Sequence, residues 1–87
     1  MVLDCVRENI NIDDVLNYIK SCDLISVREG KNTKSIYFKD NDHNYTVFIY
    51  SLLNNSATVF ATISGAAVNL IIEKNIFYNL FNKYKIF

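Results

Sequence analysis

The chain has 87 residues, with nine lysines and arginines against nine aspartates and glutamates, and 51% of its residues are apolar. This length allows one α+β domain, residues 1–87, and the apolar content without net charge excludes a disordered chain. Two glycines and no proline exclude collagen-like and low-complexity classes. Zero net charge disfavours a protein that binds nucleic acid through charge alone, because such domains usually carry a large positive excess.

The apolar content is high for so short a chain. A domain of this size buries only about two-thirds of the surface that its unfolded chain exposes. Because the chain also holds six phenylalanines and six tyrosines, we expect some apolar area to stay uncovered in a monomer. Exposed apolar patches usually mark a partner surface.

The first predicted element is a helix over about residues 12–21. One face carries apolar residues at helical spacing, namely Ile12, Val15, Leu16, Ile19 and Cys22. Asn11 is a good N-cap, and Asp13 and Asp14 would lie in the first turn, where the helix dipole favours negative charge. Residues 2–6 are open to two interpretations, a helical extension or a short edge strand.

Four strand-like segments follow, at residues 24–28, 35–39, 45–52 and 58–64. They are rich in β-branched and aromatic residues, and the segments between them are short and polar. Short connections predict an antiparallel meander, because parallel strands need a long crossover. Both faces of the third strand carry apolar or aromatic residues, which is unusual for a sheet half exposed to water.

A long helix is predicted at the C-terminal end, over about residues 66–84. Gly65 ends the fourth strand and Ser64 is the predicted cap. The first half of this helix would be apolar most of the way round, which predicts burial on more than one side. The predicted fold is therefore α+β: an N-terminal helix, a four-stranded antiparallel meander and a long C-terminal helix packed on the sheet.

We expect no enzyme, no cofactor and no metal site. The one histidine, His43, lies in a predicted turn with Asp40 and Asp42, and one histidine without a second histidine or a nearby cysteine cannot supply the ligands of a zinc site. Cys5 and Cys22 fit no metal spacing. Catalysis through Cys22 and His43 would require them to meet in a cleft.

A basic hairpin is the alternative functional feature. Its residues are Arg28, Lys31, Lys34, Tyr37 and Lys39. Cations with aromatic side chains between them are typical of surfaces that bind single-stranded nucleic acid. The competing interpretation is a solvated hairpin whose lysines protect a sheet edge.

The favoured function is that of a small non-catalytic interaction protein, homodimeric, that acts by binding a protein partner. The predicted homodimer interface consists of Phe48, Tyr50, Ile72, Ile76 and Tyr78. A small accessory protein of viral or mobile-element type would have this size and this bias toward Asn, Ile, Lys and Tyr.

The expected location is the cytoplasm, or that of a host cell if the protein is viral. The chain opens with Asp4 rather than a basic segment and an apolar core, so no signal peptide is predicted. Residues 46–72 carry no charge, but serines and asparagines interrupt the segment. We therefore expect no membrane-spanning helix.

Overall fold

The computed structural model describes residues 10–63 and 65–85. In chain order these contain helix α1 (Ile12–Ile19), strands β1 (Asp23–Glu29), β2 (Thr33–Lys39), β3 (Tyr45–Ser51), β4 (Ser56–Ile63) and β5 (Ala66–Ile72), and helix α2 (Lys74–Tyr84). The strands form one sheet in the order β1-β2-β3-β4-β5, and each pairs antiparallel with the next. The predicted α+β class is confirmed, with five strands instead of four.

Helix α1 begins as the sequence predicts. The side chain of Asn11 accepts a hydrogen bond from the Asp14 N–H at 3.1 Å, and the Asp14 carboxylate accepts one from the Asn11 N–H at 2.9 Å. This reciprocal pair is a capping box, which satisfies backbone donors that have no partner within the helix. Val15 and Ile19 are buried on the sheet side. The predicted edge strand or helical extension at residues 2–6 lies outside the described residues.

The prediction of a long C-terminal helix over residues 66–84 is wrong for the first half of that segment. Gly65 adopts a φ of 80°, a left-handed conformation that glycine tolerates and that turns the chain. The next seven residues pair with β4 in register, from Ile63↔Ala66 to Ala57↔Ile72. The apolar residues that suggested a helix buried all round are therefore distributed over the two faces of a strand, and α2 starts only at Lys74.

Both helices pack on the same face of the sheet, and aromatic side chains hold α2 there. The Phe77 ring lies 5.7 Å from Tyr50 and stacks on Phe81 at 5.6 Å, measured between ring centroids. Phe38 meets Phe48 edge to face at 6.0 Å in the layer below. These rings belong to one core cluster that also includes Val15 and Ile19 of α1.

The alternation of burial along the strands separates the two sheet faces. Thr46, Phe48 and Tyr50 of β3 point toward the helices and are buried, whereas Tyr45 and Ile49 point away and are exposed. This division follows from the alternation of side chains along a strand. We call the face opposite the helices the open face, and its central residues are Tyr37, Tyr45, Val47, Ile49, Phe60 and Ile71.

The aromatic contacts of α2 predict a large cost for truncating Phe77, which is fully buried. We expect Phe77→Ala to lower the free energy of unfolding by about 3–5 kcal/mol, because it removes the ring and leaves a cavity. Urea unfolding followed by circular dichroism measures this. Leu53→Ala, at an exposed turn position, is the control and should change stability by less than about 0.5 kcal/mol. Equal effects of the two variants would contradict the packing described for α2.

Candidate functional site

The open face presents two rows of uncharged, mainly apolar side chains across the central strands. In one row Tyr37 pairs with Val47, and Val47 pairs with Phe60. In the next row Ile49 pairs with Thr58, and Thr58 pairs with Ile71. Side chains that lie opposite on the same face of an antiparallel pair are in contact range. Thr58 interrupts the second row and Asn69 ends the first row on β5, so the rows form an uncharged, mainly apolar surface from β2 to β5.

The exposure of this surface is high for residues of its size. Ile71 is 85% exposed, Tyr45 is 48% exposed and Phe60 is 47% exposed. Residues 46–72, which include most of β3 and all of β4 and β5, carry no charged residue. Scattered apolar residues are normal on a protein surface, but a contiguous set without charges is typical of an interaction site.

Charged residues on this side of the sheet lie only on β1 and β2. Asp23 pairs with Lys39, and Lys39 pairs with Tyr45 of the open face. The Arg28 guanidinium lies 5.0 Å from the centroid of the Tyr37 ring, a cation–π distance. The open face thus has an uncharged side at β3–β5 and a rim of mixed charge at β1–β2.

The predicted homodimer interface does not lie on this surface. Phe48 has no exposed area, and Tyr50 and Ile72 are only 5% and 8% exposed. Ile76 and Tyr78 are partly buried against the same core. Three of these five side chains are therefore covered by the helices of their own chain, and the exposed apolar surface is formed by other residues.

The predicted basic hairpin is divided between the two faces. Arg28, Tyr37 and Lys39 lie on the side of the open face, whereas Lys31 is exposed in the turn. Lys34 lies on the helix side, where its Nζ donates to Glu29 at 2.6 Å and sits 5.6 Å from the Phe81 ring centroid. The hydrogen bond with Glu29 raises the pKa of Lys34.

The structure holds Cys22 and His43 in different surroundings. The Cys22 thiol donates to the Tyr18 carbonyl at 3.5 Å, and burial raises its pKa. The reactive thiolate form is therefore disfavoured. His43 is exposed in the β2–β3 turn with a φ of 69°. Cys5 lies outside the described residues.

A hydrogen-bond cluster that the sequence does not reveal ties α1 to the β2–β3 turn. The Tyr18 hydroxyl donates to the Asp40 carboxylate, which also accepts from the backbone N–H groups of Asp42 and Asn44, both at 2.9 Å. The hydrogen bond from Tyr18, with those from Asn44 and Asp42, lowers the pKa of Asp40 to about 2. Tyr18 and Asp40 are far apart in sequence, so no local pattern signals their contact.

Neither helix in residues 10–63 and 65–85 is long and apolar enough to cross a membrane. Within the same ranges, histidine, cysteine, aspartate and glutamate side chains form no group of three or more that could hold a metal ion.

Comparison with known proteins gave no match: no protein-family model, no curated protein and no solved structure matches the chain.

The open-face residues Tyr45, Ile49, Phe60 and Ile71 are absent from the predicted interface. A sequence signal existed for β3, since the alternation of its side chains already separates Tyr45 and Ile49 from the buried set. No such signal existed for Ile71, because residues 66–72 fit a helical pattern as well as a strand pattern. Which face carries the helices is decided by packing alone.

The Tyr18–Asp40 contact predicts acid sensitivity. Because the pKa of Asp40 in the folded state is below the usual value near 4, its ionised form stabilises the fold fully above that pH, and this contribution is lost as the pH falls toward 2. Tyr18→Phe should therefore lower Tm at pH 6, with the difference from wild type shrinking between pH 4 and pH 2. Thermal unfolding over this range measures it. Tyr45→Phe, whose ring is exposed, should follow wild type, and a constant deficit for Tyr18→Phe would contradict the assignment.

Proposed function

We propose that the protein is a non-catalytic interaction protein whose working form is a homodimer, joined through the open face. The observation that supports this is the uncovered apolar surface formed by Ile49, Phe60 and Ile71 together with Tyr37, Tyr45 and Val47. A sheet with one face against water normally carries polar residues on that face. β3–β5 instead place Ile49, Phe60 and Ile71 on that face, beside uncharged polar residues such as Thr58 and Asn69.

The size of the open face suits an interface between two copies. Strands about 4.8 Å apart with residues about 3.4 Å apart give a five-stranded face of about 570 Å². Two such faces packed together over all five strands, with the charged rim of β1 and β2 included in the contact, bury about 1,100 Å² in total, close to the roughly 1,000 Å² expected of a specific interface. Two twisted sheets of this kind can stack face to face about 10 Å apart.

The charge pattern favours a second copy over a strongly charged partner. The β3–β5 side offers no opposite charge to a charged partner, since residues 46–72 are uncharged. In a twofold arrangement the apolar rows would face each other, and the charged side chains of β1 and β2 would remain at the rim. A polar rim around an apolar centre is the usual organisation of a protein interface.

We expect the double variant Phe60→Lys and Ile71→Lys to be monomeric. The four lysines of two copies would meet at the centre of the interface, where like charges and desolvation oppose association. Sedimentation velocity at micromolar concentration measures the change, from about twice the chain mass of 10.1 kDa to that mass itself.

Leu53→Lys is the matched control for this experiment. It also replaces an exposed apolar residue by lysine, but in the β3–β4 turn rather than on the open face. This variant should remain dimeric. A monomeric wild-type protein at these concentrations, or the same loss of dimer in the control, would contradict the proposal.

Binding of single-stranded nucleic acid is the second candidate function. The structure favours a modified version of the predicted site, because Arg28, Tyr37 and Lys39 share one side of the sheet with the exposed rings of Tyr45 and Phe60. Exposed aromatic side chains on a sheet can stack bases while nearby cations contact phosphates. Lys31 and Lys34 do not belong to this surface.

This candidate predicts binding of a fluorescent oligothymidylate that falls steeply with added salt. Arg28→Gln with Lys39→Gln should weaken binding about tenfold, whereas Lys31→Gln with Lys34→Gln should have a smaller effect. Fluorescence anisotropy between 20 and 200 mM salt measures both. Absence of binding at the lowest salt concentration, or equal losses in the two double variants, would contradict this candidate.

A further inference from the structure

A groove lies between the outer edge of β1 and the C-terminal end of α2. Its volume is 530 Å³, within the range of cavities that bind ligands. Its lining includes Leu24, Val27, Glu29, Phe81, Tyr84 and Lys85. The groove opens along an edge strand and is separate from the open face, which lies on the other side of the sheet.

The strand side of the groove offers free backbone hydrogen-bonding groups. The Gly30 N–H donates to the Thr33 carbonyl at 2.8 Å where the β1–β2 hairpin closes. Hydrogen-bonded and non-hydrogen-bonded pairs alternate along an antiparallel ladder, so the N–H and C=O groups of Val27 and Glu29 point away from β2. Among residues 10–63 and 65–85, no strand pairs with this outer edge of β1.

The side chains that line the groove determine which kind of ligand it can bind. Leu24 and Val27 share the helix side of the sheet with the ring of Tyr84 and give the groove an apolar wall. At the Glu29 end, Glu29 is already paired with Lys34. No ion pair involves Lys85 among the described residues. The described residues at this end, Glu29, Lys34 and Lys85, therefore carry an excess of positive charge.

We propose that this groove binds an extended peptide of a partner protein, which adds to β1 as an antiparallel strand. The peptide has apolar side chains at alternate positions facing Leu24, Val27 and Tyr84, and an acidic residue at its amino-terminal end near Lys85. An antiparallel addition continues the pairing of the whole sheet and is the more stable arrangement per residue. Recognition of this kind takes affinity from backbone hydrogen bonds and specificity from alternate side chains.

This inference rests on the proposed function, because it describes how the homodimer would hold its protein partner. A dimer joined through the open face leaves the groove accessible, since the groove lies at the β1 edge on the helix side. The two proposals therefore concern different surfaces and can fail separately.

The test uses the full chain and two synthetic heptapeptides of the same composition. Both are acetylated, begin with aspartate and then alternate threonine and valine, so that the aspartate and valine side chains lie on the same face of the strand. In one peptide the threonine amides are N-methylated, and in the other the valine amides are. Valines placed opposite Val27 and Glu29 direct their N–H groups at β1, whereas the threonine N–H groups point outward.

We expect the threonine-methylated peptide to shift the backbone amide NMR signals of Val27 and Glu29 at concentrations up to about 1 mM, and the valine-methylated peptide to have no effect. Lys85→Glu should weaken binding about fivefold. Lys74→Glu, the same charge change at the other end of α2, is the control and should leave binding unchanged. Equal binding of the two peptides, no binding of either, or shifts centred on the open face would overturn the inference.

Amide hydrogen exchange of the free protein tests whether another segment of the same chain or a second copy occupies the groove. Val27 and Glu29 should exchange much faster than residues in the central strand β3, because their amides face an unpaired edge. Slow exchange at every protein concentration would mean that another segment of the same chain covers the edge. Slow exchange only at high concentration would mean that a second copy covers it, and either result would overturn the inference.

Sedimentation of the same samples distinguishes failure of the inference from failure of the proposed function. A stable dimer that binds neither peptide removes the groove proposal alone. A monomeric protein that binds the threonine-methylated peptide removes the open-face dimer alone.

Discussion

The packing of α2 against the sheet is the contact on which the rest of the structure depends. Phe77 and Phe81 insert between the helix and the rings of Tyr50, Phe38 and Phe48, so the helix is held on one face. Helix α1 shares the same core, which leaves no helix among the described residues for the other face. Two helices of 8 and 11 residues cover one face of a five-stranded sheet, and the exposed apolar rows are a direct consequence.

The same packing also shapes the β1 edge. Helix α2 crosses the sheet from the end of β5 until Phe81 and Tyr84 lie beside β1, and this closeness converts a bare strand edge into a groove. The open face and the groove thus have one origin, because α2 packs on the face that α1 also covers, and its C-terminal end stands next to the free edge of β1. The two surfaces also differ in charge. The open face is uncharged over β3–β5, whereas one end of the groove carries Lys85.

The fold was predictable where local chemistry is decisive. The capping box of Asn11 and Asp14 and the apolar stripe of α1 depend on residues three or four apart, and the first four strands are bounded by polar turns. The fifth strand was not predictable from residues 66–72, because alanine, valine, leucine and isoleucine at these positions satisfy both a helical and an alternating pattern. Pairing with β4 decides between them, and that pairing becomes available only when the chain reverses at Gly65.

The sequence by itself determined the α+β class, the capped first helix, the meander of β1–β4 and the excess of apolar residues for a short chain. Only the tertiary structure decided where that excess lies. Phe48, Tyr50 and Ile72 are as apolar as Ile49, Phe60 and Ile71, but the first three face the helices and are buried, while the other three face away. Composition counts both sets alike, because burial depends on which face of the sheet the helices cover.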